Sequence, residues 1–220
     1  MKASTDMTLP LRHAGRRLGL LLMIAASAVL AGCASGGQPQ TLYDFGPLPA
    51  SSASAPAAAS APFGALVMAD ATGPAWLDSQ RMYYRLLYAD AQQSRPYAYN
   101  RWNSTPLQLL TQRLKSRLAQ GGIKVLATTD AAAGEALLRI DVDDFSHNFD
   151  SATSSSGQVT LRASVFRNHR LLDQRTFSHN TPAGSADALG GARALAAASD
   201  AIAAELQAWL QTLPPAGPAS

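Results

Sequence analysis

Hydrophobic and polar positions divide most of the chain into short strands and two long helices. Residues 65–69 form an apolar run typical of a buried strand. In 135–145 and 158–167, apolar and polar residues alternate, which predicts antiparallel strands with one face in water. A tight turn at Asn168 and His169 and a mobile serine-rich loop over 151–157 flank the second of these strands. Further strands are predicted over 41–45, 81–87, 97–102, 123–127 and 170–178.

The first predicted helix follows Thr105, a favourable N-cap residue, and begins with Pro106, whose fixed φ suits a first helical turn. Gly121 and Gly122 end it. Its apolar stripe consists of Leu107, Leu110, Leu114 and Leu118, and the basic residues off that stripe are Arg113, Lys115 and Arg117. A second, alanine-rich helix is predicted over 185–213, with an apolar face formed by Leu195, Ile202, Leu206, Trp209 and Leu210. The pattern predicts an α+β fold: a mostly antiparallel sheet with two helices packed on one face.

The N-terminal segment has the three parts of a bacterial secretory signal peptide. A basic stretch ends at Arg17, an apolar run covers 18–30, and small residues precede Cys33, the only cysteine. The sequence Leu-Ala-Gly-Cys over 30–33 is similar to the lipobox of bacterial lipoproteins. We therefore expect cleavage before Cys33, with diacylglycerol on its thiol and an acyl chain on its amine. The alternative is an unmodified thiol that ends a transmembrane anchor, but the apolar run is short for that purpose.

Lipid on Cys33 would anchor the mature chain permanently, since each buried CH₂ contributes about 0.8 kcal/mol. Ala34, which follows the acylated cysteine, favours sorting to the outer membrane and a domain on its periplasmic face. The remaining chain divides into a polar tether over 34–40, a linker of Ala, Ser and Pro over 47–62, a folded domain over 63–213 and a tail over 214–220.

The basic character of the chain belongs to the signal peptide. The net charge of the whole sequence is +3, with 18 basic and 15 acidic residues. Residues 1–32 contain four of the basic residues and one of the acidic ones, so the mature chain has 14 of each sign. This balance removes the electrostatic argument for a nucleic-acid partner.

The sequence contains no recognisable catalytic set. The densest group of candidate metal ligands is Asp141, Asp143, Asp144, His147 and Asp150, but an acidic strand end that leads into a serine-rich loop is ordinary solvation, and we predict no metal site. The histidines at 147, 169 and 179 fall in predicted turns or strand ends. No serine lies in a nucleophile elbow, and no glycine loop has a phosphate-binding pattern. We predict a protein that is not an enzyme and binds no cofactor apart from its covalent lipid.

Aromatic residues are concentrated between positions 76 and 102. Tyr83 and Tyr84 are consecutive in a predicted strand, so they point to opposite faces and cannot both enter one core. Tyr and Trp are enriched at protein interfaces because they combine contact area with a polar group. The alternative is that most of these side chains cover the edge of the core. The predicted partner-binding set is Trp76, Tyr83, Tyr84, Tyr88, Tyr99 and Trp102.

The order of several short motifs resembles the ABC-type transport auxiliary lipoprotein family, the PqiC-like group. These motifs are Thr-Leu-Tyr-Asp-Phe-Gly over 41–46, the segment 74–85 with its Trp-Leu-Asp-Ser and Tyr-Tyr-Arg, Tyr-Asn-Arg-Trp over 99–102 before an amphipathic helix, and Trp-Leu at 209–210. The long Ala/Ser/Pro linker departs from the family pattern, as does Phe45, where Leu is commoner.

The resemblance implies an outer-membrane lipoprotein that docks the periplasmic MCE-domain assembly of an ABC-type phospholipid transport system and does not hydrolyse ATP. It also implies a helix-backed sheet and ring-like self-association. Two alternatives stay open from the residues themselves. One is a lipid-binding carrier with an apolar cleft between sheet and helices, and the other is a general envelope-assembly lipoprotein.

Overall fold

A mixed sheet and two helices make up the described part of the chain, residues 39–49, 65–130 and 134–214 of a computed structural model. The predicted signal peptide, Cys33, most of the predicted linker and the tail beyond Pro214 lie outside the described residues. The strands are β1 (Thr41–Tyr43), β2 (Leu66–Met68), β3 (Arg81–Leu86), β4 (Asp90–Trp102), β5 (Val125–Leu126), β6 (Ala136–Phe149), β7 (Ser155–Arg167) and β8 (Arg170–Pro182). The helices are α1 (Pro106–Gln120) and α2 (Ala188–Thr212), and a short 3₁₀ helix covers Ala75–Asp78.

Strand β6 is the centre of the sheet. One of its edges pairs with β7, which pairs with β8, and both pairings are antiparallel. Its other edge is shared, because β2 lies parallel to its first residues and β3 lies parallel to its last residues, 147–149. Strand β5 then pairs with β2, β4 pairs antiparallel with β3, and β1 lies parallel to β4 at the edge. The sheet is therefore mixed and largely antiparallel, and the predicted α+β class is confirmed.

The four longest strands, β4, β6, β7 and β8, are longer than the sequence pattern predicts, and the other four are shorter. Strand β4 begins at Asp90 instead of residue 97, and β6 continues to Phe149. The prediction of a loop over 151–157 is wrong for its last three residues, since 155–157 pair with 147–149 and are buried. Serine and glycine resemble loop residues in sequence, but here backbone pairing in the sheet satisfies their polar groups. The prediction of a tight turn is confirmed, because Asn168 and His169 both have positive φ.

Helix α1 begins and ends as predicted. The Thr105 side chain accepts a hydrogen bond from the Gln108 N–H, and Gly121 follows the last helical residue. Helix α2 begins three residues later than predicted because its N-cap is Asp187, whose carboxylate accepts the Gly190 N–H at 2.8 Å. It packs against β7 and β8 and also contacts β6, and α1 packs against α2. Both apolar stripes are buried, while the prediction that the two helices cover the same face of the sheet stays a prediction.

Candidate functional site

The β3–β4 hairpin holds most of the aromatic residues that the sequence singles out. Alternation along β3 buries Met82 and turns Tyr84 inward, where its ring packs on Phe149 at 5.7 Å between centroids. Tyr83 points away from these two residues and packs edge-on against Trp76, with 5.8 Å between ring centroids. The prediction that Tyr83 and Tyr84 occupy opposite faces agrees with these contacts.

Tyr97 of β4 and His147 of β6 form a buried polar pair behind the inward aromatics. The Tyr97 hydroxyl lies 2.8 Å from His147 Nδ1, and the His147 ring packs against Phe149 at 4.5 Å. His147 lies among the last three residues of β6, which agrees with the prediction of a turn or strand end, and it is fully buried there. Strand β6 simply continues past the point at which the alternation of the sequence stops.

Burial determines the ionisation of this pair. It lowers the pKa of His147 to about 4, against a smaller opposing effect of the Asp187 carboxylate, and it raises the pKa of Tyr97. Both groups are therefore neutral at pH 7. Within the described residues, His147 Nε2 has no hydrogen-bond partner. This histidine is a packed, uncharged part of the interior and not an accessible base or ligand.

The start of helix α2 lies directly against the His147 ring. A Cβ atom built on Gly191 would be 2.3 Å from His147 Nδ1, a distance that ordinary contacts never reach. Gly191→Ala should therefore lower the free energy of unfolding by about 1–3 kcal/mol, although the same change in an exposed helix stabilises by about 1 kcal/mol. Urea unfolding measures the difference. Gly184→Ala is the control, since nothing lies within 4 Å of its Cβ position, and a Gly191→Ala protein as stable as wild type would contradict this packing.

The predicted partner-binding residues differ widely in exposure. Tyr88 is 53% exposed at the hairpin turn, and Tyr99 is 51% exposed on β4. Tyr83, Tyr84 and Trp76 are half-buried. Trp102 is only 1% exposed and packs between Phe45 and Phe145. Trp102 therefore belongs to the core and cannot contact a partner. This agrees with the alternative interpretation, in which most of these aromatic side chains cover the edge of the core.

The acidic residues of β6 do not converge. Asp141 accepts a hydrogen bond from the Thr72 hydroxyl at 2.5 Å, and Asp144 accepts one from Ser146 at 3.1 Å. Burial raises the pKa of Asp144 against the opposing effect of the Ser146 hydrogen bond. In the part of the chain that the structure describes, no three His, Cys, Asp or Glu side chains are grouped to hold a metal ion.

A partly buried ionic network joins the two helices, and the sequence does not predict it. Arg113 of α1 donates two hydrogen bonds to Asp200 of α2, both at 2.7 Å, and Arg117 makes a second pair of contacts with the same carboxylate. Burial alone would raise the pKa of Asp200, but the hydrogen bonds from Arg117 and Arg113 outweigh it and lower that pKa. The Arg113 side chain is 6% exposed. Its position off the leucine stripe does not predict this burial, which the acidic partner on α2 makes possible.

The same arginine holds the N-terminal strand against the body of the domain. Its Nη1 atom donates a hydrogen bond to the Gly46 carbonyl at 3.1 Å. Just before Gly46, Phe45 is buried between Trp102 and Phe145, and Asp44 accepts a hydrogen bond from Asn103. The segment that leads from the tether is therefore attached through a strand pairing, a buried ring and a buried arginine, and the prediction of an edge strand at 41–45 is confirmed for Thr41–Tyr43.

A family model described as the ABC-type transport auxiliary lipoprotein component matches residues 43–207. It therefore extends from the end of β1 into the last turns of α2 and covers strands β2 to β8 in full. The chain belongs to this family. The resemblance noted from the short motifs is thus confirmed. As a transport auxiliary lipoprotein, the protein is associated with a membrane and with an ABC-type transport system.

Two crystal structures share the fold of this auxiliary lipoprotein. One is a protein of the DUF330 family from Xanthomonas campestris, with 22% identity, a TM-score of 0.57 and coverage of 66% of this chain and 82% of that chain. The other is an uncharacterized protein with 16% identity, a TM-score of 0.60 and coverage of 79% and 99%. The PelC dodecamer from Paraburkholderia phytofirmans is more distant, with 11% identity, a TM-score of 0.42 and coverage of 69% and 89%. No curated protein matches the sequence.

Proposed function

We propose that the mature protein is acylated on Cys33, held at the periplasmic face of the outer membrane, and serves as a non-catalytic docking component of an MCE/ABC-type phospholipid transport system. The observation that carries this proposal is the family match over residues 43–207, which include most of the folded domain. It is supported by the lipobox-like sequence that ends at Cys33, ten residues before the match begins. No helix among the described residues is long and apolar enough to cross a membrane.

Docking would use the outward side of the β3–β4 hairpin and its edge. Tyr99 and the Tyr83–Trp76 pair offer aromatic surface there, and Leu42 of the neighbouring strand β1 is 61% exposed. Tyrosine and tryptophan rings of this kind dominate the binding energy of many protein interfaces. The partner would be the MCE-domain protein of the transport system. We also propose that the lipoprotein associates with copies of itself.

The cavities of the described residues give less support to a lipid carrier. One of them, about 540 Å³, lies against α1 and is lined by charged and amide side chains as well as apolar ones, including Asp70, Asp78 and Lys115. A second, about 430 Å³, lies beside Asp44 and Arg113. A site for an acyl chain is expected to be predominantly apolar. Native mass spectrometry distinguishes the two functions, since a carrier should be purified with one lipid per binding site.

Replacing Cys33 by Ser tests the membrane anchor. The wild-type chain should be found almost entirely in the membrane fraction, and Cys33→Ser should be soluble in the periplasm or retain its uncleaved signal peptide, because no other residue can carry the diacylglycerol. Intact-mass measurement of the mature protein should show cleavage before residue 33 and the added lipid. A Cys33→Ser chain that is cleaved at the same bond and still partitions with membranes would contradict the proposal.

A further inference from the structure

We infer that the tip of the β3–β4 hairpin inserts into the headgroup region of the membrane that holds the lipid anchor. This inference rests on the proposed acylation of Cys33. The tip consists of Leu87, Tyr88 and Ala89, the turn between the two strands. The phospholipid surface is the partner of the tip, as the exposure of the tip, the direction of β1 and the length of the tether indicate.

The tip combines exposed apolar surface with a fixed backbone. Leu87 is 41% exposed and Tyr88 is 53% exposed. The Leu87 N–H donates to the Phe149 carbonyl at 2.9 Å, and the Ala89 N–H donates to the Leu86 carbonyl at 3.0 Å. These two donors are thus satisfied before any contact with lipid. A leucine beside a tyrosine, whose ring is apolar and whose hydroxyl is polar, suits the boundary between headgroups and acyl chains.

The N-terminal end of β1 faces the tip. Strand β1 runs parallel to β4, with Thr41 beside Asn100 and Tyr43 beside Trp102. Strand β4 starts at Asp90, at the tip, and runs away from it. Strand β1 therefore also runs away from the hairpin tip, and Thr41 is its end nearer to the tip.

The tether is too short to hold the domain away from the membrane. Seven residues, 34–40, separate Cys33 from Thr41, so the chain spans about 28 Å at most when fully extended. From Asn100 back to Asp90 the hairpin extends up to about 33 Å in the same direction. Because the tether is no longer than the hairpin, a hairpin directed at the bilayer brings its tip to the bilayer surface.

The charge of the tip favours insertion over an ionic contact. Asp90 is the only charged residue between Leu86 and Gln92, and its charge is balanced by Arg85, whose guanidinium donates a hydrogen bond to the Ala91 carbonyl at 3.3 Å. Attraction to anionic headgroups would need an excess of basic side chains at this point. The contact should therefore form on zwitterionic and anionic bilayers alike and should change little with salt concentration.

A spin label at position 87 tests the inference. Cys33 is the only native cysteine, so in the acylated full-length protein a Leu87→Cys substitution provides a single reactive thiol. The nitroxide should become severalfold more accessible to oxygen than to a water-soluble nickel complex in vesicles of phosphatidylethanolamine and phosphatidylglycerol. Leu171→Cys is the matched control. Leu171 is 45% exposed, and it pairs with Phe166 at the end of β7 that is farther from the hairpin tip. Its label should stay in water.

Each outcome has a separate meaning. Equal, aqueous accessibility at positions 87 and 171 would overturn the contact with lipid. Protection of position 87 only after a protein partner is added would also overturn it and would identify the tip as a protein interface. Failure of the proposed acylation would be seen independently, since intact mass would then show an unlipidated Cys33 that carries a second label.

Discussion

Replacing Asp200 by Asn should lower the free energy of unfolding by about 3–5 kcal/mol, because it leaves two arginines facing each other without their shared counter-charge. Arg113 is the more severely affected, since its side chain is 6% exposed and cannot turn into water. The substitution nearly preserves volume, so the loss reports charge and hydrogen bonding and not a cavity. Urea unfolding monitored by circular dichroism measures it.

The chain contains a matched control for this prediction. Asp70 and Lys115 also form an ion pair at 2.8 Å, but the Asp70 side chain is 84% exposed. Asp70→Asn should therefore cost less than about 1 kcal/mol. Equal losses for the two Asp→Asn variants would show that burial does not determine the effect, and would contradict the role given to the network. Since Arg113 also binds the Gly46 carbonyl, the Asp200→Asn protein should in addition be cleaved faster by protease in the segment around residues 46–49.

Lowering the pH from 6.5 to 4 should destabilise the domain by about 3 kcal/mol through His147 alone. In the unfolded chain His147 binds a proton below its ordinary pKa of 6.5, whereas in the folded domain burial lowers this pKa to about 4. Between these two values the unfolded state binds a proton that the folded state excludes. The stability contributed by neutral His147 is therefore complete above pH 6.5, is lost as the pH falls and changes no further below pH 4.

His147→Gln isolates this contribution, because glutamine does not titrate. The variant should be less stable than wild type at pH 7, since the contact with Tyr97 is altered. Its stability should nevertheless fall less steeply between pH 6.5 and 4.5, and the two curves should converge by as much as about 1.4 kcal/mol per pH unit. Curves that stay parallel over this range would mean that His147 is accessible to protons in the folded domain.

The sequence predicts best those elements whose signals are local. Helix α1 has its cap at Thr105, its proline at the first position and its glycine stop all within 17 residues, so its limits follow from neighbouring residues. The alternation in β6 and β7 likewise predicts their buried faces. The sequence does not predict that β2 and β3 share one edge of β6. Their paired residues, 66–68 and 84–86, are far apart in sequence, and no local signal specifies which end of β6 each strand joins.

The candidate site was predictable only in part, for a related reason. The concentration of aromatics drew attention to the correct hairpin, but the pattern could not separate Trp102, which the core buries, from Tyr99, which is exposed. The β3–β4 pairing shifts register between Arg81 and Tyr83, opposite the part of β4 that leads to Trp102 and contains Tyr99. This shift breaks the simple alternation from which their faces would be read. The burial of Arg113 likewise depends on Asp200, 87 residues away.

Affinity purification of the acylated protein from crosslinked cells tests the docking function. We expect the MCE-domain protein of an ABC-type transport system to be purified with the wild-type lipoprotein. Tyr99→Ala should reduce this yield about tenfold or more while the unfolding midpoint stays unchanged, because half of the Tyr99 side chain is exposed. Purification of the wild-type protein with no transporter component, and with one phospholipid bound per chain, would contradict the docking function and favour a lipid carrier.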